Sequence, residues 1–287
     1  MEQKIIRKIK QGEFSVERTL LIISGLNSEN QINEYKKKIE IIETDFKKFL
    51  EKRDINKNPT NHKNQQYQSA KSLFNYFWEV KPNRYNLDFL LTDVIDNQLS
   101  KDKGVGNCLG LTSLYSVLGL RLGLNLSILF SNDHIFNLLG KNVLIDNVKD
   151  YGFDIPLIYP YDQKFYLEFQ KADFSALISG VYNEKGNVKC DLGDVKGAME
   201  DFDKAIELNP KYVFAYSNRG VAKYYLEDVK GAMEDFDKAI ELDPKNADFY
   251  NNRRILKRKL RDVNRAMEDR NKVIELNLKV KNFTILE

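Results

Sequence analysis

Three stretches of this chain recur at an interval of 34 residues: DVKGAMEDFDKAIELNP from Asp194, DVKGAMEDFDKAIELDP from Asp228 and DVNRAMEDRNKVIELNL from Asp262. No other feature restricts the fold as tightly. Within each copy the small and apolar residues fall at helical spacing, Ala198, Phe202 and Ala205 in the first and Ala232, Phe236 and Ala239 in the second. Between copies a second helical pattern places Tyr182 with Gly186, Tyr216 with Gly220, and Tyr250 at matching points. A single helix pair of this kind cannot bury its apolar face alone, so consecutive pairs must stack into an all-α solenoid.

The period and these residues resemble the tetratricopeptide repeat family, whose aromatic, small and close-packing positions match Tyr182, Gly186 and Ala198 and their equivalents. The resemblance implies a curved array whose first helices line a concave face, and recognition of a protein or peptide there without chemistry. Asn187 and Asn218 match asparagine positions used in the family's clamps for carboxylate tails, and Asn183 and Asn252 are further candidates for partner contact. The lysines of such clamps have no counterpart at Asn183 or Asp248. In the third copy Arg254 replaces the glycine, Arg270 the phenylalanine, Val273 the alanine and Leu278 the proline. Terminal repeats turn polar where one face has no neighbour, so the cluster Arg253, Arg254, Lys257, Arg258, Lys259 and Arg261 reads as a solvated cap. It lacks the interleaved aromatics of a nucleic-acid surface. Self-association through this C-terminal repeat is a further expectation.

Upstream, the stretch GVGNCLGLTSLY from Gly104 breaks the chain with glycines and an asparagine, then starts a leucine-rich run with Leu109, Leu111, Leu114, Leu118 and Leu122 at helical spacing. Cys108 therefore opens a helix. Unpaired N–H groups and the positive end of the helix dipole there favour a thiolate. Three strands follow: NLSILFS from Asn125, HIFNLL from His134 and NVLID from Asn142. A hairpin closed by the three residues Leu139, Gly140 and Lys141 sets His134 directly opposite Asp146, with Cβ atoms roughly 4.5–5.5 Å apart. A five-residue loop keeps the two on one face as diagonal neighbours. A two-residue loop, Gly140 and Lys141, would send Asp146 to the other face and put Asn147 in its place. The odd-length loop is the expectation, because it lets the carboxylate orient the imidazole.

The pattern GNCLGLTSLYSVLGLRLGLNLSILFSNDHIFNLL followed by VLID resembles the transglutaminase-like, papain-related superfamily, most closely its SirB1-like branch. The likeness covers roughly residues 15 to 160 and is densest from 104 to 146. It implies an α+β transglutaminase-like domain with a helical N-terminal region, followed by the repeat solenoid. Carried over by position, Cys108 is the nucleophile, His134 the base and Asp146 the orienting group. No Trp follows His134 and no Pro follows Asp146, unlike many members. Asn107 and Gln98 are candidates for the oxyanion donor that would act beside the Cys108 N–H.

The rest of the chain sets the frame. Residues 1–172 are expected to form the transglutaminase-like domain and 173–287 the three repeats. Ile32, Tyr35, Ile39, Ile42, Phe46 and Leu50 mark one long amphipathic helix, Asp54 to Gln65 a polar loop carrying His62, and Leu73 to Trp78 an aromatic core cluster. A net charge of +3 on 287 residues gives no electrostatic case for nucleic acid or a membrane surface as partner. With Cys108 and Cys190 the only cysteines and two histidines widely spaced, neither a disulfide framework nor a structural zinc site is implied, and no cofactor or metal is expected. Leu20 to Leu26 is too short to span a bilayer, and a cytoplasmic address follows as the expectation. Two functions stand open. In one, the repeats recruit a partner to a transglutaminase-like domain that retains a Cys-His-Asp site; in the other, that site is an active protease, deamidase or transamidase.

Overall fold

The computed structural model describes residues 8–9, 14–53, 62–82, 84, 86–100, 103–130, 134–141, 143–149, 152–153 and 170–284. Contacts divide the chain into two compact units, residues 1–181 and 182–287. The boundary drawn from sequence, 172/173, comes earlier, because the division falls inside one helix, Phe174–Asp191. The first half of that helix buries Ala176, Leu177, Ile178 and Val181, and Gly180 lies against Leu109.

The first unit begins with α1 (Val16–Ile23) and α2 (Glu29–Lys52), capped by Ser15 and by a Ser28–Gln31 capping box. Ile32, Ile39, Ile42 and Phe46 of α2 are buried as their spacing predicts, and the partly exposed Tyr35 donates to Asp96 Oδ2 at 2.8 Å. Helix α3 (His62–Val80) buries Leu73, Phe74, Tyr76 and Phe77, the aromatic cluster of the core. His62, expected in a loop, opens this helix. Helix α4 (Leu91–Leu99) precedes α5 (Cys108–Arg121), which is apolar on nearly every side and accordingly central, with Leu111, Leu114 and Tyr115 fully buried. The Tyr115 hydroxyl donates to Ala70 O of α3 at 2.8 Å.

Helix α5 packs on an antiparallel sheet of order β3-β2-β1-β4, made of β1 (Leu126–Phe130), β2 (Ile135–Leu139), β3 (Val143–Ile145) and β4 (Gln170–Ala172). The run Tyr151 to Lys171 also reads from sequence as carrying a strand around Phe165 to Phe169, which lies outside the described residues. β2 and β3 pair Leu139 with Val143 and Asn137 with Ile145, leaving residues 140–142 between the strands, with Gly140 at a φ of +62°. The loop is thus odd in length, as expected, but set one residue later than Leu139 to Lys141. This register puts Asp146 level with Phe136, so His134 and Asp146 share a face as diagonal neighbours and do not stand directly opposite.

The helix array starts with α6 (Phe174–Asp191), whose second half opens the second unit, and continues with α7 (Val195–Leu208), α8 (Val213–Tyr225), α9 (Val229–Leu242), α10 (Ala247–Lys259) and α11 (Val263–Thr284). Asp194 and Asp228 cap α7 and α9 through Gly197 N and Gly231 N. The small residue of each first helix makes room for the ring of the second. A Cβ on Gly186 would stand 2.4 Å from Phe202 Cε1, and one on Gly220 2.7 Å from Phe236 Cε1. In the third repeat both partners change together, to Arg254 and Arg270.

Charge also joins the repeats. Arg219 binds Asp203 and Asp235, each at 2.6 Å, and Arg253 binds Asp237 and Asp269 in the same way one period later. Lys223 and Lys257 complete the pairs at 2.8 Å. The basic cluster of the last repeat is therefore not simply a solvated cap. Arg253 and Lys257 neutralise buried Asp269, and Arg254 donates to Asn251 Oδ1 at 2.7 Å, while Arg258, Lys259 and Arg261 are exposed. No described helix is long and apolar enough to cross a membrane.

Candidate functional site

Cys108 is the first residue of α5, so its N–H has no acceptor within the helix. Asn107 caps the helix, accepting Gly110 N at 3.0 Å, while its Nδ2 reaches Leu87 O at 3.5 Å and its own N–H donates to Asp88 O at 2.9 Å. The glycines around the cysteine are there for close approach. A Cβ on Gly106 or Gly110 would come within 2.8 Å of Asp88 O, and on Gly110 within 2.6 Å of Val94 Cγ2. These contacts hold the helix start against the segment leading into α4.

His134 immediately precedes β2, its ring edge-on to Phe136 with centroids 4.5 Å apart. Its Nε2 lies 3.1 Å from Asp146 Oδ1, which also accepts Val148 N at 3.0 Å. The Asp146 side chain is 1% exposed and that of His134 21%. Asp146 sits in a tight turn in which its N–H donates to Gly152 O at 2.7 Å, and a Cβ on Gly152 would meet Asp146 O at 2.1 Å, so only glycine fits. The Cys108 side chain is the other group whose interaction raises the His134 pKa. Burial disfavours the imidazolium, but the hydrogen bonds to Asp146 and Cys108 and their charges more than offset it, and the His134 pKa is pushed up to about 9. His134 and Asp146 are thus hydrogen-bonded, with Cys108 among the groups that raise the His134 pKa.

A second, buried row runs behind it. Thr112 Oγ1 donates to Ile135 O at 3.4 Å, Asn137 Nδ2 to Ser116 Oγ at 2.7 Å, and Asn147 Nδ2 to Asn137 Oδ1 at 2.7 Å. It fastens the helix of Cys108 to the strand after His134 and to the residue after Asp146. Sequence reasoning missed it, although an asparagine inside the apolar run HIFNLL was a signal. Asn147 therefore stands on this row and not in the place of Asp146. Gln98 is buried near the end of α4 with Oε1 unmatched, beside a 510 Å³ cavity also lined by Tyr76, Lys81, Lys103 and Gly104; Cys108 does not line it.

In the second unit the four asparagines bond to one another, to Glu184 and to Ser217. Asn218 Nδ2 reaches Asn183 Oδ1 at 3.1 Å and Asn187 Oδ1 at 2.9 Å, and Asn252 Nδ2 reaches Ser217 Oγ at 3.2 Å. Cys190 packs beside Ala198, Phe202 and Ala222, and burial, with Asp191 and Asp194, raises its thiol pKa.

Known proteins resemble this second unit. Family models described as TPR repeat and as tetratricopeptide repeat match residues 186–226 and 213–246. No curated protein matches the chain. Similar solved structures include the first TPR of Spaghetti (RPAP3) bound to HSP90 peptide SRMEEVD, 25% identical over 35% of this chain and 80% of that one, with a TM-score of 0.35. The Arabidopsis OM64 TPR domain is 28% identical over 36% of this chain and 84% of that one, with a TM-score of 0.34. The C-terminal region is a tetratricopeptide-repeat array, and repeats of this family mediate protein–protein interaction.

Proposed function

We propose that the chain is a recruiting protein: its repeats hold a protein or peptide partner, and a transglutaminase-like unit of the SirB1-like kind carries Cys108, His134 and Asp146. The observation that carries the first half is the array itself, three helix pairs tied by the Arg219 and Arg253 bridges, with polar side chains aligned from one first helix to the next. Affinity capture from cell extract tests it. Residues 174–287 alone are expected to retain the same proteins as the full chain; retention by the full chain only would remove the repeats as the principal recognition surface.

A second reading, cysteine acyl transfer, is favoured by the Cys108–His134–Asp146 row. The thiolate of Cys108 attacks the carbonyl carbon of an amide, the Cys108 N–H at the helix start faces the developing oxyanion, and the His134 imidazolium gives its proton to the departing amine. The resulting thioester is released when water or an amine attacks, His134 taking the proton and the thiolate leaving. Asp146 holds the ring through Nε2. Asn107, engaged as the helix cap, supplies the start of α5 more than a free donor.

A further inference from the structure

Positions 184, 218 and 252, one repeat apart, hold Glu, Asn and Asn. At the two later positions the amide donates back to the preceding first helix with an identical step of 35 residues, Asn218 to Asn183 and Asn252 to Ser217. An amide both donates and accepts and so continues such a row, whereas a carboxylate only accepts. At Glu184 the row turns inward. Asn183 Nδ2 donates to its Oε1 at 3.3 Å and Asn187 Nδ2 at 3.4 Å, both long and from neutral donors.

Among the described residues no cation pairs with Glu184. The buried aspartates of the same unit are treated differently: Asp201 has Lys189 and Lys204, Asp235 has Arg219 and Lys223, and Asp269 has Arg253 and Lys257. Glu184 is a half-buried carboxylate, and burial raises its pKa against the pull of the two amides. A carboxylate tail arriving here would meet like charge, and would find the Asn183 and Asn187 N–H groups already turned to Glu184. An ammonium or guanidinium would supply the charge that the site lacks and several donors at once.

We propose that the face lined by the half-buried Asn187 and Asn218 receives a lysine or arginine side chain of a peptide partner on Glu184; this rests on the repeats being a peptide receptor. Panning a phage-displayed random heptapeptide library on the full-length chain, on Glu184→Gln and on Glu184→Lys tests it, with thermal melts showing each variant folded. The wild-type chain is expected to enrich Lys- and Arg-bearing peptides, the Gln variant to bind the selected peptides about tenfold more weakly, and the Lys variant to select acidic peptides. Selection of neutral or acidic peptides by the wild type, or equal binding by wild type and Glu184→Gln, overturns the assignment and leaves the repeats a receptor. Enrichment of no peptide by any of the three chains removes the receptor reading and this inference together.

Discussion

His134 is hydrogen-bonded to a buried carboxylate, and its pKa is pushed up to about 9 from an ordinary value near 6.5, with Asp146 and Cys108 as the raising groups. A raised pKa means that the folded state binds the proton more tightly than the unfolded chain does. The contribution to stability is therefore complete below about pH 6.5 and disappears as pH climbs through 9. Chemical denaturation across this window is expected to show the wild type losing on the order of 2 kcal/mol relative to His134→Ala. A difference that stays flat with pH would mean that the ring is neutral in the folded protein. Cys108, His134 and Asp146 were legible as residues because the chain has two cysteines and two histidines, and one of each falls at the family's spacing with an aspartate beyond. Asn137 and Ser116 were not, since a buried polar pair is defined by what meets across the sheet and helix, which no local pattern records. Gly106 reads from sequence as a chain breaker, but its φ angle is ordinary, and what it and Gly110 provide is contact with Asp88 and Val94.

At the scale of elements, the hairpin shows how far periodicity reaches. Alternation fixes the face of a strand, and the odd loop length followed from requiring His134 and Asp146 on one face; the offset of the loop by one residue belongs to the pairing of Leu139 with Val143. The helix array was the more readable part, because each unit states its packing three times over. Gly220 and Phe236 make the rule quantitative. In Gly220→Ala the added methyl sits 2.7 Å from the ring, closer than packed atoms allow. Such overpacking is expected to cost about 1–3 kcal/mol, seen as a lower Tm, and Phe236→Leu in the same chain is expected to recover part of it. An unchanged Tm in the single variant would show that α8 and α9 are not held at this distance. The bridging by Arg253 in the third repeat escaped the sequence reading for a related reason. Its arginines looked like surface charge, but Arg253 repeats the bridging of Arg219, and only the pairing with Asp237 and Asp269 reveals it. Asn271 stands where Asp203 and Asp237 offer a carboxylate to the next arginine, so that bridge is not continued.

Taken whole, the chain divides into two units, each with one half-buried free cysteine. Access alone does not separate the two sulfurs, and their surroundings do. Cys108 opens a helix and is one of the groups that raise the His134 pKa, whereas burial, with Asp191 and Asp194, raises the thiol pKa of Cys190. Brief alkylation of the full-length chain with iodoacetamide at pH 6.5, read by mass spectrometry of the two cysteine peptides, compares them inside one sample. The predicted result is Cys108 reacting about tenfold or more faster than Cys190, with the gap closed in His134→Ala. Equal rates at the two cysteines, or a Cys108 rate indifferent to the loss of His134, would contradict it.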